Sequence, residues 1–395
     1  MQPSLVLTQS LSLFTVYPMF FIRTFPYNFS PGGVPTASGS LVSISSYTEA
    51  FSIFGTTYGG NGLSTFALPN LQGITIIGKG QGNGLSSYTV GQQIGSSTIT
   101  LTSNQMSAHS HTIPSSTDLT GISGASQPFD NIQPSLSMNY IICINGVYPS
   151  FDSDLEAIPF LGQIIPYVAN SVPDDWHLAD GTTLSISQYI ELFSLLGTTY
   201  GGDGITTFML PDLRGRVSIG VASGSNTQLG QQGGTESVTL LTTNLPSHAH
   251  SLVGSRYSAT QTDPNGSGQS IDNRQPFLGI TYIIALQGIY PSRDSGSLDA
   301  EEIYIGEIFA FAGNFAPKGC SMVNGAILSI EQNLALFSLL GTNYGGNGFS
   351  TFALPDLRDR IILGSGNGFI VGEQVGTSQV TLTTNQIPYH VHTLL

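Results

Sequence analysis

Six of the seven histidines fall into three His-x-His pairs: His109 and His111, His248 and His250, His390 and His392. In an extended segment, residues i and i+2 point to the same side, so each pair can present two imidazoles to one point. Three pairs meeting there offer six nitrogen ligands, an octahedral set. Neutral imidazole suits Fe, Ni, Cu and Zn. Zinc prefers four ligands, so six nitrogens lean toward Fe, Ni or a six-coordinate Zn. A filled shell leaves no open position for substrate or water, which makes such an ion structural and not catalytic. The competing reading takes the pairs as ordinary polar turn residues. His177, beside Trp176, stands outside the pattern and reads as a local structural residue.

No other group of residues makes a comparable chemical case. The histidines leave none for a Ser-His-Asp or Cys-His set, and no acidic pair recurs along the chain, so no catalytic residue is assigned. The segment Gly-Thr-Thr-Tyr-Gly-Gly-Asp-Gly at Gly197 lacks the Lys-Ser/Thr of a phosphate loop and reads as a turn needing positive φ. Asp203 within it is a weak calcium candidate, because Asn61 and Asn347 hold the equivalent places. Asp212 with Arg214 and Arg216, and Asp356 with Arg358 and Arg360, read as structural ion pairs.

The elements that must position the histidines repeat three times. Gly55, Gly197 and Gly341 each open the same glycine-rich motif, each motif runs into Thr-Phe-x-Leu-Pro, and each copy ends in a histidine pair. Copies one and two continue into closing segments, Gln133 to Pro149 and Gln275 to Pro291. Copy three stops shortly after His392, and its counterpart is Gln2 to Pro18, which aligns with both segments without a gap. This predicts a circular permutation: residues 1–18 complete repeat three, with repeat one at 19–149, repeat two at 150–291 and repeat three at 292–395. The apolar run from Leu5 to Ile22 is thereby explained as a strand. As a signal peptide it would lack a basic start, and it contains Gln9, Ser10 and Ser12.

One helix is expected before each glycine-rich motif. In copy two Ser185 and Gln188 suggest a capping box, and Gly197 a stop. Short strands are expected at Val217 to Gly220, Ser237 to Leu241 and Tyr282 to Leu286. Acidic, serine-rich linkers are expected at Ser150 to Ala157 and Ser292 to Glu301. The fold class is therefore a β-rich α+β protein, three repeats forming a pseudo-threefold ring closed by the permuted N-terminal strand.

Composition narrows the function classes. Charged residues are 9% of the chain, acidic residues outnumber basic ones by 24 to 10, and Lys79 and Lys318 are the only lysines. A phosphate-tracking groove needs far more positive charge, so nucleic acid drops out. No run reaches the length of a membrane span, which argues against membrane insertion. Cys143 and Cys320 fall at different places in their repeats, giving no reason to expect a disulfide. The loops Thr112 to Ile132 and Ser251 to Arg274 are long, polar and different from each other, which suits surface recognition or simple filling.

Copy three, with Ile305 to Cys320, the glycine-rich motif and the Pro-Tyr-His-Val-His end, resembles the phage tail-collar and microcystin-dependent-protein family. All three copies share the likeness. The resemblance implies an extracellular or virion location and a non-enzymatic tip or collar role. It also implies fibre or filament subunits as partners and a cell-surface glycan or protein receptor. One chain would then be a monomeric pseudo-trimer. The alternatives are a polysaccharide-degrading tail enzyme and a purely structural fibre adaptor. Copy one departs from the pattern, with Asn70-Leu71-Gln72-Gly73 where copy two has Asp212-Leu213-Arg214-Gly215. Val34 and Cys320 stand at the place of Trp176.

Overall fold

A computed structural model describes residues 2–11, 21–29, 35–114, 118–127, 129–133, 135–143, 146, 149, 159–167, 172–252, 261–290 and 303–393. Both expected linkers, Val34, and the part of the N-terminal segment beyond Leu11 up to Pro18 lie outside the described residues.

Three long strands organise the protein: Ser4–Leu11, Ser135–Cys143 and Phe277–Ala285. The first half of each lies parallel to a strand from the middle of a copy. Ser135 faces Thr75 of Thr75–Gly78, Phe277 faces Val217 of Val217–Val221, and Ser4 faces Ile361 of Ile361–Gly364. The second half of each runs antiparallel to the opening strand of a copy: Gln163–Tyr167, Ile308–Phe311 and Ile22–Phe25 respectively. Although it is N-terminal, Ser4–Leu11 stands on copy three in the register its two counterparts adopt on their own copies. Every residue of Phe277–Ala285 is buried, so a strand paired on both edges and covered on both faces reads as a nearly continuous apolar run, interrupted by Thr281, and not an alternating one. The large sheet holds 14 strands in a branched order, and the named strands form no closed barrel.

The helices are Thr48–Phe54, Ile190–Leu196 and Leu334–Leu340. At seven residues each they are too short to persist alone, and the faces Ala50/Phe54, Leu192/Leu196 and Leu336/Leu340 bury them against the sheet. Gly55, Gly197 and Gly341 end them at φ between 52° and 55°, each N–H donating to a phenylalanine carbonyl at 2.8 Å. The expected capping box does not form. Ser185 ends the strand Thr183–Ser185 and bonds Ser187 Oγ, the helix starts at Ile190, and Tyr189 gives no side-chain cap. Val217–Val221 and Phe277–Ala285 include the strands expected there, apart from Leu286, whereas only Ser237–Val238 of the Ser237 to Leu241 run is strand.

Neighbouring copies approach at backbone contact. Gly78 bridges to Arg214, Gly220 to Arg358 and Gly364 to Gln72. A Cβ on these glycines would collide with the carbonyls of Leu213, Leu357 and Leu71 respectively, which is why the strand ends carry no side chain there. Three glutamines, all under 5% exposed, link the starts of the closing strands. The N–H of Gln2 donates to Gln133 Oε1 at 3.2 Å, that of Gln133 to Gln275 Oε1 at 3.0 Å, and that of Gln275 to Gln2 Oε1 at 3.1 Å. Phe66, Phe208 and Phe352, at equivalent places in the three copies, are fully buried. Arg23 of copy one and Glu307 of copy three form a buried ion pair, Nε to Oε1 at 2.7 Å, with the guanidinium 4.5 Å above the Tyr304 ring.

Candidate metal centre

The histidine segments are extended, but they are not regular strands. His109 makes a single bridge to Ser123 and His248 one to Asn265. The described parts of the two long loops fold back on these segments. The N–H of Thr120 donates to His111 O and that of Thr262 to His250 O, both at 2.9 Å. Buried Met106 and Leu245, just upstream of the pairs, anchor copies one and two beneath the site.

The segments bring all three pairs together. Nε2 of His248 lies 3.1 Å from that of His109 and 3.2 Å from that of His390, and Nε2 of His250 lies 3.1 Å from that of His390. Ring centroids of His111 and His250 are 4.9 Å apart, and so are those of His250 and His392, all edge to face. Five of the rings, all but His248, offer ligand atoms lying within 4.8 Å of one another. An octahedron with metal–nitrogen distances of about 2.1 Å has neighbouring nitrogens about 3.0 Å apart, close to the three separations found.

Second contacts fix the proton on five of the six rings. Nδ1 of His109, His248 and His390 faces the carbonyls of Ser107, Pro246 and Pro388 at 2.9 to 3.0 Å. Nδ1 of His111 and His392 faces the carbonyls of Asp263 and Gly121 at 2.9 and 2.7 Å. A carbonyl only accepts, so Nδ1 carries the hydrogen and a neutral ring turns a bare lone pair inward from Nε2. The His109–His248 and His248–His390 contacts are therefore lone pair against lone pair. Nε2 of His111 and of His392 is buried without a hydrogen-bond partner. Such a cluster is relieved by protonation or by a cation. Protonation is opposed. Burial pushes His109 and His250 down to about 4, with the other imidazoles adding to the shift, and burial also lowers His111 and His390. The residues present thus fit a transition-metal ion with a filled nitrogen shell.

The remaining candidates lie elsewhere. His177 faces its neighbour's carbonyl, Leu178 O, at 2.9 Å, away from the cluster. Asp203 Oδ1 accepts the N–H groups of Ile205, Thr206 and Thr207, and Asn61 and Asn347 do the same in their copies. The carboxylate there is a turn-former. Arg214 grips Asp212 through Nε at 2.9 Å, and Arg358 repeats this on Asp356 at 3.0 Å. Cys143 is buried and Cys320 half-buried, far from the repeat positions of the histidines. The carbonyls of Gly121 and Asp263 escaped sequence reading, since a backbone acceptor inside a variable loop carries no residue-type signal.

No helix among the described residues is long and apolar enough to cross a membrane. No curated protein and no solved structure matches the chain. The family model described as the phage tail collar domain matches at residues 21–76, 162–218 and 306–362. Each match starts at or beside an opening strand and ends within or just after a middle strand, and the histidine segments lie outside all three. Three tandem stretches of the chain thus match the phage tail collar domain.

Proposed function

We propose that this is a non-enzymatic tip or collar protein of a phage tail fibre or bacterial extracellular filament, one chain taking the place of three. In this reading residues 1–18 complete repeat three, the other repeats span 19–149, 150–291 and 292–395, and the copies sit about a pseudo-threefold axis. The identical register of the three closing strands and the return of the glutamine contacts to Gln2 support it. On that axis His109, His111, His248, His250, His390 and His392 hold one structural Fe, Ni or Zn ion. The ion would supply cohesion between copies and no open coordination site. The observation that carries this is the set of lone-pair contacts near 3.1 Å between rings whose outer nitrogens are already committed to carbonyls.

Elemental analysis of purified protein tests it. The expected result is one metal ion per chain, lost in the double variant His248→Ala, His250→Ala, from a protein that sediments as a monomer. Metal-free wild-type protein, or a content unaffected by the double variant, overturns the metal reading. Receptor binding is assigned to the exposed flank of the copy-one loop, where Leu119 is 47% and Ile122 78% exposed, and a cell-surface glycan is the proposed ligand. Replacement of Ile122 by Ser should abolish binding to cells and leave the metal content unchanged. Release of glycan fragments by the wild-type protein would instead favour a polysaccharide-degrading enzyme.

A further inference from the structure

Among the described residues, two of the three junctions at the histidine end are bridged by a short strand, and the third is not. Phe129–Asp130 of copy one pairs antiparallel with Ser237–Val238 of copy two, and Asn131 N–H donates to Glu236 O at 2.7 Å. Ile271–Asp272 of copy two pairs in the same way with Gln379–Val380 of copy three, and Asn273 N–H donates to Ser378 O at 2.8 Å. Both bridging segments follow one recipe. The asparagine side chain donates to Thr235 O or Thr377 O at 3.2 Å, and the aspartate Oδ1 accepts the N–H two residues on. A glutamine of the buried trio comes next.

Alignment places the third such edge at Ser96 to Ile99 of copy one; Ser96 N–H donates to Ile132 O of its own copy at 2.9 Å, as Thr235 N–H does to Arg274 O, but no described segment of another copy pairs with this edge. Ile99 is 45% exposed, while its counterparts Val238 and Val380 are half-buried under their partners. Ile99 and Leu101 line a cavity of about 210 Å³, which Phe129 and Ile271 enter from the two bridged junctions. The edge carries no charge and no proline, the devices that ordinarily protect an open strand edge. A separate observation marks the same gap. His111 is served by a carbonyl from the loop of copy two and His392 by one from the loop of copy one. No carbonyl among the described residues serves Nδ1 of His250, the ring that a third loop would cover.

We propose that the Ser96 to Ile99 edge is an acceptor site for an extended segment of a partner chain reading apolar–Asp–Asn, which adds as a strand and completes the third junction. The two internal copies specify the occupant. Its apolar residue fills the cavity beside Ile99, its asparagine reaches the Ser96 carbonyl, and its aspartate turns the chain toward Gln2. Main-chain hydrogen bonds supply affinity and the apolar pocket supplies selectivity, as in other strand additions. The inference does not depend on the metal ion.

The test uses a synthetic peptide with the sequence of Ser126 to Gln133, titrated calorimetrically into the intact protein. The expected result is saturable binding of one peptide per chain. It should weaken at least tenfold when Asp-Asn in the peptide becomes Ala-Ala, and again in the protein variant Ile99→Asp, whose exposed position spares the fold. Binding indifferent to Ile99→Asp overturns the proposal. A second arm joins the same eight residues directly ahead of Gln2, raising their local concentration to the order of millimolar, and follows amide hydrogen exchange at Ser97 to Ile99. Exchange slowed at least tenfold supports the site even if the free peptide binds too weakly to titrate. No slowing together with no peptide binding overturns it.

Discussion

The collar end and the histidine end of this protein are held together by different physics. At the collar end each copy has an apolar core around fully buried Phe66, Phe208 or Phe352, and the copies meet through long strands paired on both edges and glycines where one backbone touches the next. At the histidine end there are single bridges, short extended segments, and a cluster of imidazoles whose lone pairs face one another. Hydrophobic burial needs no ligand. The converging lone pairs call for a cation, and the difference teaches that burial alone holds one end, whereas the proposed ion would fasten the other.

The largest expected effect lies at the collar end. Arg23→Met leaves Glu307 buried without its ion pair and should cost about 3 to 5 kcal/mol in denaturant unfolding. The double variant Arg23→Met, Glu307→Met should recover most of that loss, since two apolar side chains can occupy the space that the pair vacates. Metal content should be unaffected in both. If it falls with the single variant, the two ends are coupled and the comparison fails.

The next effect belongs to the histidine end. Removing the ion with a chelator should lower apparent stability by about 2.7 kcal/mol at metal a hundredfold above its Kd, and by more at higher excess. The loss should appear as a lower unfolding midpoint with unchanged far-ultraviolet circular dichroism. In the metal-free protein, acid should act at the same place. The folded-state values of His109 and His250 are depressed to about 4, below the ordinary 6.5. The unfolded chain therefore binds more protons between those values, and stability falls as pH falls through that window. It is fully present above about 6.5 and lost by about 4. A pH profile flat across this range in metal-free protein would mean that the rings are not gathered as described. Metal-bound protein should resist acid further down, because protons must displace the ion.

What was legible in the sequence follows the same division. The three copies, and the match of Gln2 to Pro18 with the other closing segments, could be read because a strand buried on both faces demands a run of apolar residues with fixed ends. The convergence of the histidine pairs could be read because residues i and i+2 of an extended segment point to one side and one pair recurs in each copy. The Arg23–Glu307 pair could not, since it joins residues 284 apart in sequence and has no repeat counterpart to reveal it. Ser185 and Gln188 misled for a local reason. The same residues that cap a helix also suit the turn after a strand, and the strand Thr183–Ser185, held by pairing with Thr207–Met209, takes Ser185 first. The long loops were read as recognition or filler. Their described parts also brace the histidines through backbone carbonyls, which composition cannot disclose.

The smallest expected effect concerns Asp203, and it sharpens the contrast between a ligand site and a turn. Its carboxylate accepts three successive N–H groups and the Thr206 hydroxyl at 2.7 Å. Those bonds hold its carboxyl far below the usual carboxylate range. A calcium site would need further oxygen ligands around the ion, yet Asn61 and Asn347 build the same turn with a neutral amide, through the same oxygen position. Asp203→Asn should therefore leave the thermal midpoint where it is, with or without added calcium. Asp203→Ala, which removes the acceptor altogether, should lower it measurably. A calcium-dependent midpoint in the wild type that disappears in Asp203→Asn would make this loop a second ion site.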